Sequence, residues 1–321
     1  MPLISHSTYH GPSPYLFNGH LETVYPGVFR KIPNVTYERE RVTTPDDDFL
    51  DVDWIDKKSK RLLILTHGLE GSTDRHYIKA PARLFSENGW DVLAWNCRSC
   101  SGEMNRQLRL YNHGDLDDIS TIVEYALQQK NYERVVMVGF SMGGAITLNY
   151  LGRKAAEVPD VIDRAVAFST PCDLGDSISA LEAGENWLYR NRFRYSLQQK
   201  IEEKAKLFPD KIDVRKFKQI KEWKDFDNLF SAPLNGYRDA DDFYHQASSI
   251  YAIPNIKVKS LIVNAWNDPL LTPACYPKEL CERSKTVYLE TPKRGGHVGF
   301  TERGKLFAWS EQRALEWCTG L

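Results

Sequence analysis

The 321-residue chain carries almost no net charge: 42 lysines and arginines face 43 aspartates and glutamates, leaving −1. So even a balance gives no electrostatic footprint for nucleic acid. The six cysteines have no regular spacing, which excludes a disulfide framework of the kind that holds small secreted domains. Cys97 and Cys100 form a lone C-x-x-C. A zinc site would need two more ligands at suitable spacing, and a thioredoxin-like pair would open a helix, whereas this one follows a strand. Repeats and low-complexity tracts are also missing. Residues 1–15 have neither the basic start nor the apolar core of a signal peptide. Residues 135–152 are uncharged, but their glycines, Ser141 and Asn149 argue against a membrane span. The expectation is therefore a soluble, cytoplasmic protein, with 42% hydrophobic residues, enough for a sizeable core.

What the chain does have centres on Gly139-Phe140-Ser141-Met142-Gly143, a G-x-S-x-G. The apolar segment 134–138 before it reads as a buried parallel strand, and 144–151 after it as a helix packed on that strand. A strand-to-helix turn this sharp holds its serine strained and needs small neighbours where backbones meet closely. Ser141 then stands at a helix start, where free N–H groups can receive an oxyanion. A serine hydroxyl is a weak nucleophile and needs a base within reach.

In hydrolases built on such a turn the order along the chain is serine, acid, histidine. Two histidines follow Ser141. His297 lies in the glycine-flanked loop Arg294-Gly295-Gly296-His297 after the strand 286–290, free to swing toward a serine, whereas His245 lies in a polar helical stretch and reads as a surface or capping residue. The acid expected is Asp268, just past the strand 259–265 and before Pro269, although Asn-Asp-Pro also makes ordinary turns. Its rivals Asp239, Asp241 and Asp242 follow no convincing strand. The expected oxyanion donors are the N–H of Met142, after the nucleophile, and that of Leu69, in the loop His67-Gly68-Leu69-Glu70-Gly71 after the strand 61–66. His67 then shapes the loop.

Several segments carry a family resemblance. Asn18-Gly19-His20-Leu21-Glu22-Thr23-Val24-Tyr25-Pro26, His67-Gly68-Leu69-Glu70-Gly71-Ser72, Arg98-Ser99-Cys100-Ser101-Gly102-Glu103 with Asn105-Arg106, and Ala232-Pro233-Leu234-Asn235-Gly236-Tyr237 resemble the signatures of the YheT-like branch of the α/β-hydrolase superfamily. The match runs from about residue 10 to the C-terminus. It implies an α/β-hydrolase fold with a triad at Ser141, Asp268 and His297. It also implies activity as an esterase or phospholipase, or, as in some eukaryotic relatives, as an acyltransferase making fatty-acid ethyl esters. Ser99 departs from the branch, which usually has glycine there.

The predicted architecture is α/β: a mostly parallel central sheet with helices on both faces. Residues 35–43 and 49–55 form a hairpin at its edge, and Asp115 caps a helix bearing Ile119, Ile122, Val123 and Ala126. One domain spans 1–321, with an N-terminal arm over 1–34 and a helical cap over about 172–254. In the cap, Leu197, Ile201, Ala205 and Phe208 share an apolar face. Lys200, Lys204, Lys206, Lys211, Arg215, Lys216, Lys218, Lys221 and Lys224 read as a solvated face, or as a transient contact with an anionic membrane surface. Trp187, Tyr189, Phe193, Tyr195 and Trp223 either pack the cap or line an acyl pocket. The expected function is cleavage of small-molecule acyl esters or lipids by a serine hydrolase, with no metal or organic cofactor. The alternatives are acyl transfer to an alcohol with the same triad and a non-catalytic ligand-binding protein, whose usual mark, a missing triad residue, is not found.

Overall fold

In the central strands, side chains alternate between two cores. In the computed structural model, which describes residues 2–320, Leu62 and Ile64 face one apolar layer while Leu63 and Leu65 face the other. Val135 and Met137 likewise oppose Val136 and Val138. This period of two is what a strand covered on both faces requires.

Among the described residues the strands are β1 (Leu3–Ile4), β2 (Glu38–Thr43), β3 (Phe49–Ile55), β4 (Arg61–Thr66), β5 (Asp91–Trp95), β6 (Arg134–Phe140), β7 (Ile162–Phe168), β8 (Lys259–Val263) and β9 (Val287–Glu290). They form one sheet in the order β1-β9-β8-β7-β6-β4-β5-β3-β2. Neighbours from β5 through β9 to β1 are parallel, and the β2–β3 hairpin adds the antiparallel edge. The helices are α1 (Gly19–Phe29), α2 (His76–Glu87), α3 (Leu116–Gln129), α4 (Met142–Arg153), α5 (Leu174–Glu182), α6 (Trp187–Leu207), α7 (Trp223–Phe226), α8 (Ala232–Leu234), α9 (Ala240–Ala247), α10 (Lys278–Arg283) and α11 (Trp309–Thr319). Ile78 and Phe85 of α2 and Ala314 of α11 pack on one face of the sheet; Ile119 and Ile122 of α3, Ile146 of α4 and Cys281 of α10 pack on the other.

Strand order reverses about β4, which lies between β5 and β6. Crevices at the carboxyl ends of strands beside such a reversal are where sheets of this kind place their sites. The loop after β4 and Ser141 after β6 lie there.

Several expectations change in detail. The strand before Ser141 runs on to Phe140. In the segment 1–34 read as an N-terminal arm, Leu3 and Ile4 extend the sheet beside β9 and Gly19–Phe29 forms α1. Asp115 stands at the start of α3, but its carboxylate caps no backbone N–H. It is buried, bonded to Arg109 Nη2 at 2.7 Å, and burial pushes its pKa well above the usual carboxylate range. Ser99, where the branch usually has glycine, has φ 61°, the left-handed region that costs a side chain strain. Its hydroxyl donates to Asn105 Oδ1 at 2.7 Å, a local bond that glycine could not make.

Between β7 and β8 run α5 to α9, whose apolar residues form a core of their own around Leu197, Ile201, Trp223, Phe226 and Phe230. The basic face predicted here is partly inverted. Lys204 lies three residues beyond Ile201 on the inward side of α6 and is fully buried. Its ammonium donates to Asn105 O, Asn105 Oδ1 and Gln107 O at 2.7, 2.6 and 2.6 Å. Desolvation pulls its pKa down to about 8. Lys200 also turns inward, pairing with Glu70 at 2.8 Å. These two lysines dock α6 onto the loops after β4 and β5 and leave the solvated face to the other cations.

Candidate active site

At the end of β6 the chain turns abruptly. Ser141 has φ 53° and ψ −120°, a conformation that a non-glycine residue holds only when its surroundings over-determine it. Those surroundings are explicit. Ser141 N–H donates to Phe168 O at 2.8 Å, and Ser141 O accepts from Gly144 and Ala145 at 2.9 and 3.1 Å. The motif's glycines allow the close approach: a Cβ at Gly139 would overlap the Gly143 carbonyl, and one at Gly143 would overlap the carbonyls of Thr66 and His67.

The hydroxyl of Ser141 lies 2.8 Å from His297 Nε2. On the other side of the ring, Nδ1 is 2.8 Å from Asp268 Oδ2 and 3.1 Å from Oδ1. Asp268 is 4% exposed, and its Oδ1 also accepts the Leu270 N–H at 2.9 Å. A carboxylate can only accept, so Nδ1 carries the ring proton and Nε2 is left to accept from the serine. The three residues thus come together from three loops. Their rivals do not join them: Asp239 caps α9, Asp241 lies in its first turn, the Asp242 carboxylate accepts from Arg238 N–H, and His245 is exposed at its last turn.

Sequence reasoning missed what holds His297. Its loop is anchored to α1. Glu22 is 1% exposed, and its carboxylate accepts from Gly295 N–H at 2.6 Å, Asn267 Nδ2 at 3.0 Å and Arg294 Nε at 2.9 Å. Asn267 Oδ1 takes the Gly296 N–H at 3.0 Å, and Thr23 Oγ1 takes the N–H of His297 itself at 2.8 Å. An acidic residue in a first helical turn normally reads as a surface group favoured by the helix dipole. The sole signal was its place in the Asn18–Pro26 motif.

Leu69 and Met142 adjoin the serine. Leu69 lines the cavities at Ser141, and Met142 opens α4 directly after it. Among the described residues neither backbone N–H has a hydrogen-bond acceptor. Gly68 packs on Ser141, where an added Cβ would lie 3.1 Å from the serine Cβ. Buried His67 accepts the Cys97 N–H at Nε2, 3.0 Å away, so its Nδ1 donates to Gly68 O at 2.7 Å. Desolvation pulls its pKa down to about 4, and the neutral ring braces the loop. Glu70, at φ 54°, is clamped by Tyr111 Oη and by Lys200 of α6.

Two spaces meet at Ser141 and His297. One, of about 950 Å³ counted out to solvent, lies under α5 to α9 and is walled by Ile178, Leu181, Phe193, Trp223, Phe226 and Leu270. Of the cap aromatics, Phe193 and Trp223 therefore line this space, while Trp187 and Tyr195 are exposed. The other is a groove of about 1240 Å³ bordered by α1, the start of α2 and the start of α6. Among the described residues no cluster of three or more His, Cys, Asp or Glu is arranged to hold a metal ion, and no helix is long and apolar enough to cross a membrane.

Sheet order, strained serine and the cavity under α5 to α9 describe a class, and comparison with known proteins supplies its name. Residues 61–303 match the sequence profile of the α/β hydrolase fold family, and the chain belongs to that family. Within it the chain falls in the YheT-like branch: it is 30% identical over 310 residues to YheT of Escherichia coli K12, named as a provisional esterase, covering 94% of this chain and 90% of that one. The mouse phospholipase ABHD3 is 26% identical, covering 94% and 75% of the two chains. A monoacylglycerol lipase of Saccharomyces cerevisiae is 29% identical, covering 80% and 58%. Among solved structures, the Pyrococcus furiosus esterase Pf2001 has the same fold, with a TM-score of 0.59 at 20% identity, covering 91% and 95%. The protein is a hydrolase of the esterase and lipase type.

Proposed function

We propose that the protein is a serine hydrolase cleaving carboxylic acyl esters, lipid esters included, through an acyl-enzyme on Ser141. The observation that carries this reading is the unbroken hydrogen-bonded line Ser141–His297–Asp268 opening onto an apolar cavity. Ser141 Oγ attacks the ester carbonyl while His297 Nε2 takes its proton. Asp268 fixes the tautomer and stabilises the imidazolium. The N–H groups of Leu69 and Met142 receive the oxyanion, which favours the tetrahedral state over the planar ester. His297 returns the proton to the departing alcohol. Water, activated by the same histidine, then releases the acid. We read residues 1–321 as one catalytic domain, 1–34 as its arm and about 172–254 as the cap that holds the acyl chain. The names of the phospholipase and monoacylglycerol lipase relatives support a lipid-like ester as substrate.

The test is labelling by a fluorophosphonate probe together with hydrolysis of p-nitrophenyl butyrate. Ser141→Ala should lose both and keep the circular dichroism of the folded protein. Full labelling of the alanine variant would overturn the assignment. Product analysis with added alcohol separates hydrolysis from acyl transfer.

A further inference from the structure

The cap cavity is not the sole space that reaches Ser141. The groove along α1, α2 and α6 reaches it too, and its lining is of a different kind. Val24 and Val28 of α1 and Leu188 of α6 give it apolar surface, but it also holds Arg75 and Arg192. Most cations nearby are already neutralised: Arg30 by Glu311, Lys79 by Asp74, Arg190 by Glu182. Glu70, the acid lining the groove, is taken by Lys200. Among the described residues, no carboxylate pairs with Arg75 or Arg192. The Arg75 side chain makes one hydrogen bond, from Nη2 to the Glu70 carbonyl at 3.2 Å.

Further polar groups of the groove also lack partners. Arg75 precedes α2, a helix of twelve residues. Ile78 and Lys79 donate to Arg75 O, while the N–H groups of His76 and Tyr77 have no acceptor among the described residues. The His76 ring lines the groove with a buried Nδ1 that has no partner. Desolvation, with Arg30 and Arg75 nearby, lowers its pKa to about 3, so the ring is neutral and can donate or accept. Unpaired guanidinium groups, free helix-start N–H groups and the positive end of a helix dipole together favour an anion.

We propose that this groove is a leaving-group subsite for a phosphate-bearing alcohol, its anionic group held by Arg75, Arg192 and the first N–H groups of α2 while the acyl chain lies in the cap cavity. The subsite rests on the reading of Ser141 as nucleophile. The phosphate takes no part in the bond change. The acyl C–O bond breaks, His297 protonates the departing alkoxide, and water supplies the hydroxyl of the released acid. Val24, Val28 and Leu188 cover the carbon chain of the alcohol half.

The experiment compares kcat/KM for two esters with the same acyl chain, 1-monoacylglycerol and 1-acylglycerol 3-phosphate, in micelles of one neutral detergent. The anionic ester should be preferred. Arg75→Gln and Arg192→Gln should each lower the ratio of anionic to neutral kcat/KM by about tenfold, the scale of one charged hydrogen bond, and Arg192→Lys should recover part of it. Free sn-glycerol 3-phosphate should inhibit monoacylglycerol hydrolysis competitively, and less so in Arg192→Gln, which separates headgroup binding from attraction to a lipid surface. A ratio unmoved by both glutamine variants, or no inhibition by the free headgroup, overturns the subsite and leaves the hydrolase reading standing. Hydrolysis of neither ester by the folded wild type overturns that reading and the subsite with it.

Discussion

Replacing Glu22 by glutamine should cripple turnover although the residue touches no reacting atom. Its carboxylate takes Gly295 N–H at 2.6 Å, Asn267 Nδ2 at 3.0 Å and Arg294 at 2.9 and 2.8 Å, and all of these groups belong to the two loops that bear Asp268 and His297. Glutamine keeps one acceptor oxygen and turns the other into an NH₂ group that faces donors. Hydrogen bonds to charged groups contribute about 1.5–3 kcal/mol each, and breaking a buried ion pair costs about 3–5 kcal/mol. A cost of about 3 kcal/mol is therefore the reasonable scale. If half or more of that appears as misplacement of the imidazole, kcat falls by roughly 10- to 100-fold, since 1.36 kcal/mol is one decade. The measurement is kcat and KM on p-nitrophenyl butyrate beside Tm for Glu22→Gln. A fall in kcat with KM nearly constant is the expected result. A lowered Tm with kcat within about twofold of wild type would show that α1 only packs against the loop and does not position the histidine.

Further outcomes are open to measurement. Asp268→Asn should lower kcat by about 10⁴ through the wrong histidine tautomer, whereas Asp239→Asn, Asp241→Asn and Asp242→Asn should have little effect; a mild Asp268→Asn would show that the acid lies elsewhere. Asp227 is fully buried beside the cap cavity, where desolvation raises its pKa from 3.8 to about 6. The fold thus favours its protonated form, and that stability is complete below pH 3.8 and lost as pH rises through about 6. Asp227→Asn, always neutral and still able to accept from Tyr244 Oη, should gain on wild type by about 2 kcal/mol between pH 4 and pH 7; a Tm difference that does not grow over that range refutes this. On p-nitrophenyl esters of increasing chain length, kcat/KM should rise about tenfold per two methylenes, at roughly 0.8 kcal/mol each, until the cap cavity is full, and then fall. A flat profile would show that the cavity does not take the acyl chain.

The sheet was legible because β4, β6, β7 and β8 are short apolar runs, nearly buried on both faces. The elbow was legible because few sequences other than small-x-Ser-x-small satisfy the close approaches around Gly139 and Gly143. The candidate residues Ser141, Asp268 and His297 could be picked out because each follows a strand. The supports could not. Glu22 and Asn267 meet across 245 positions of sequence, and nothing local marks a helical glutamate as buried. Lys204 misled for the opposite reason. A lysine among other lysines on a helix reads as solvated, and its burial depends on the carbonyls of Asn105 and Gln107. Those are backbone acceptors that no residue type announces.

The same supports give the site a consistent mechanical logic. On the proposed mechanism, a serine fixed at φ 53° cannot move to meet its partners, so the partners must be brought to it and held. The histidine loop is held from the N-terminal side, through Glu22 and Thr23 of α1. The loop bearing Leu69 is held in part from α6, through Lys200 on Glu70, while one helical turn further on Lys204 fastens α6 to the segment after β5. Neither anchor belongs to the sheet that carries the serine. Helices α1 and α6 thus hold the two loops beside Ser141 from outside the sheet. Displacing α6 would break the Lys200–Glu70 pair and leave the Glu70 carboxylate, beside Leu69, held by Tyr111.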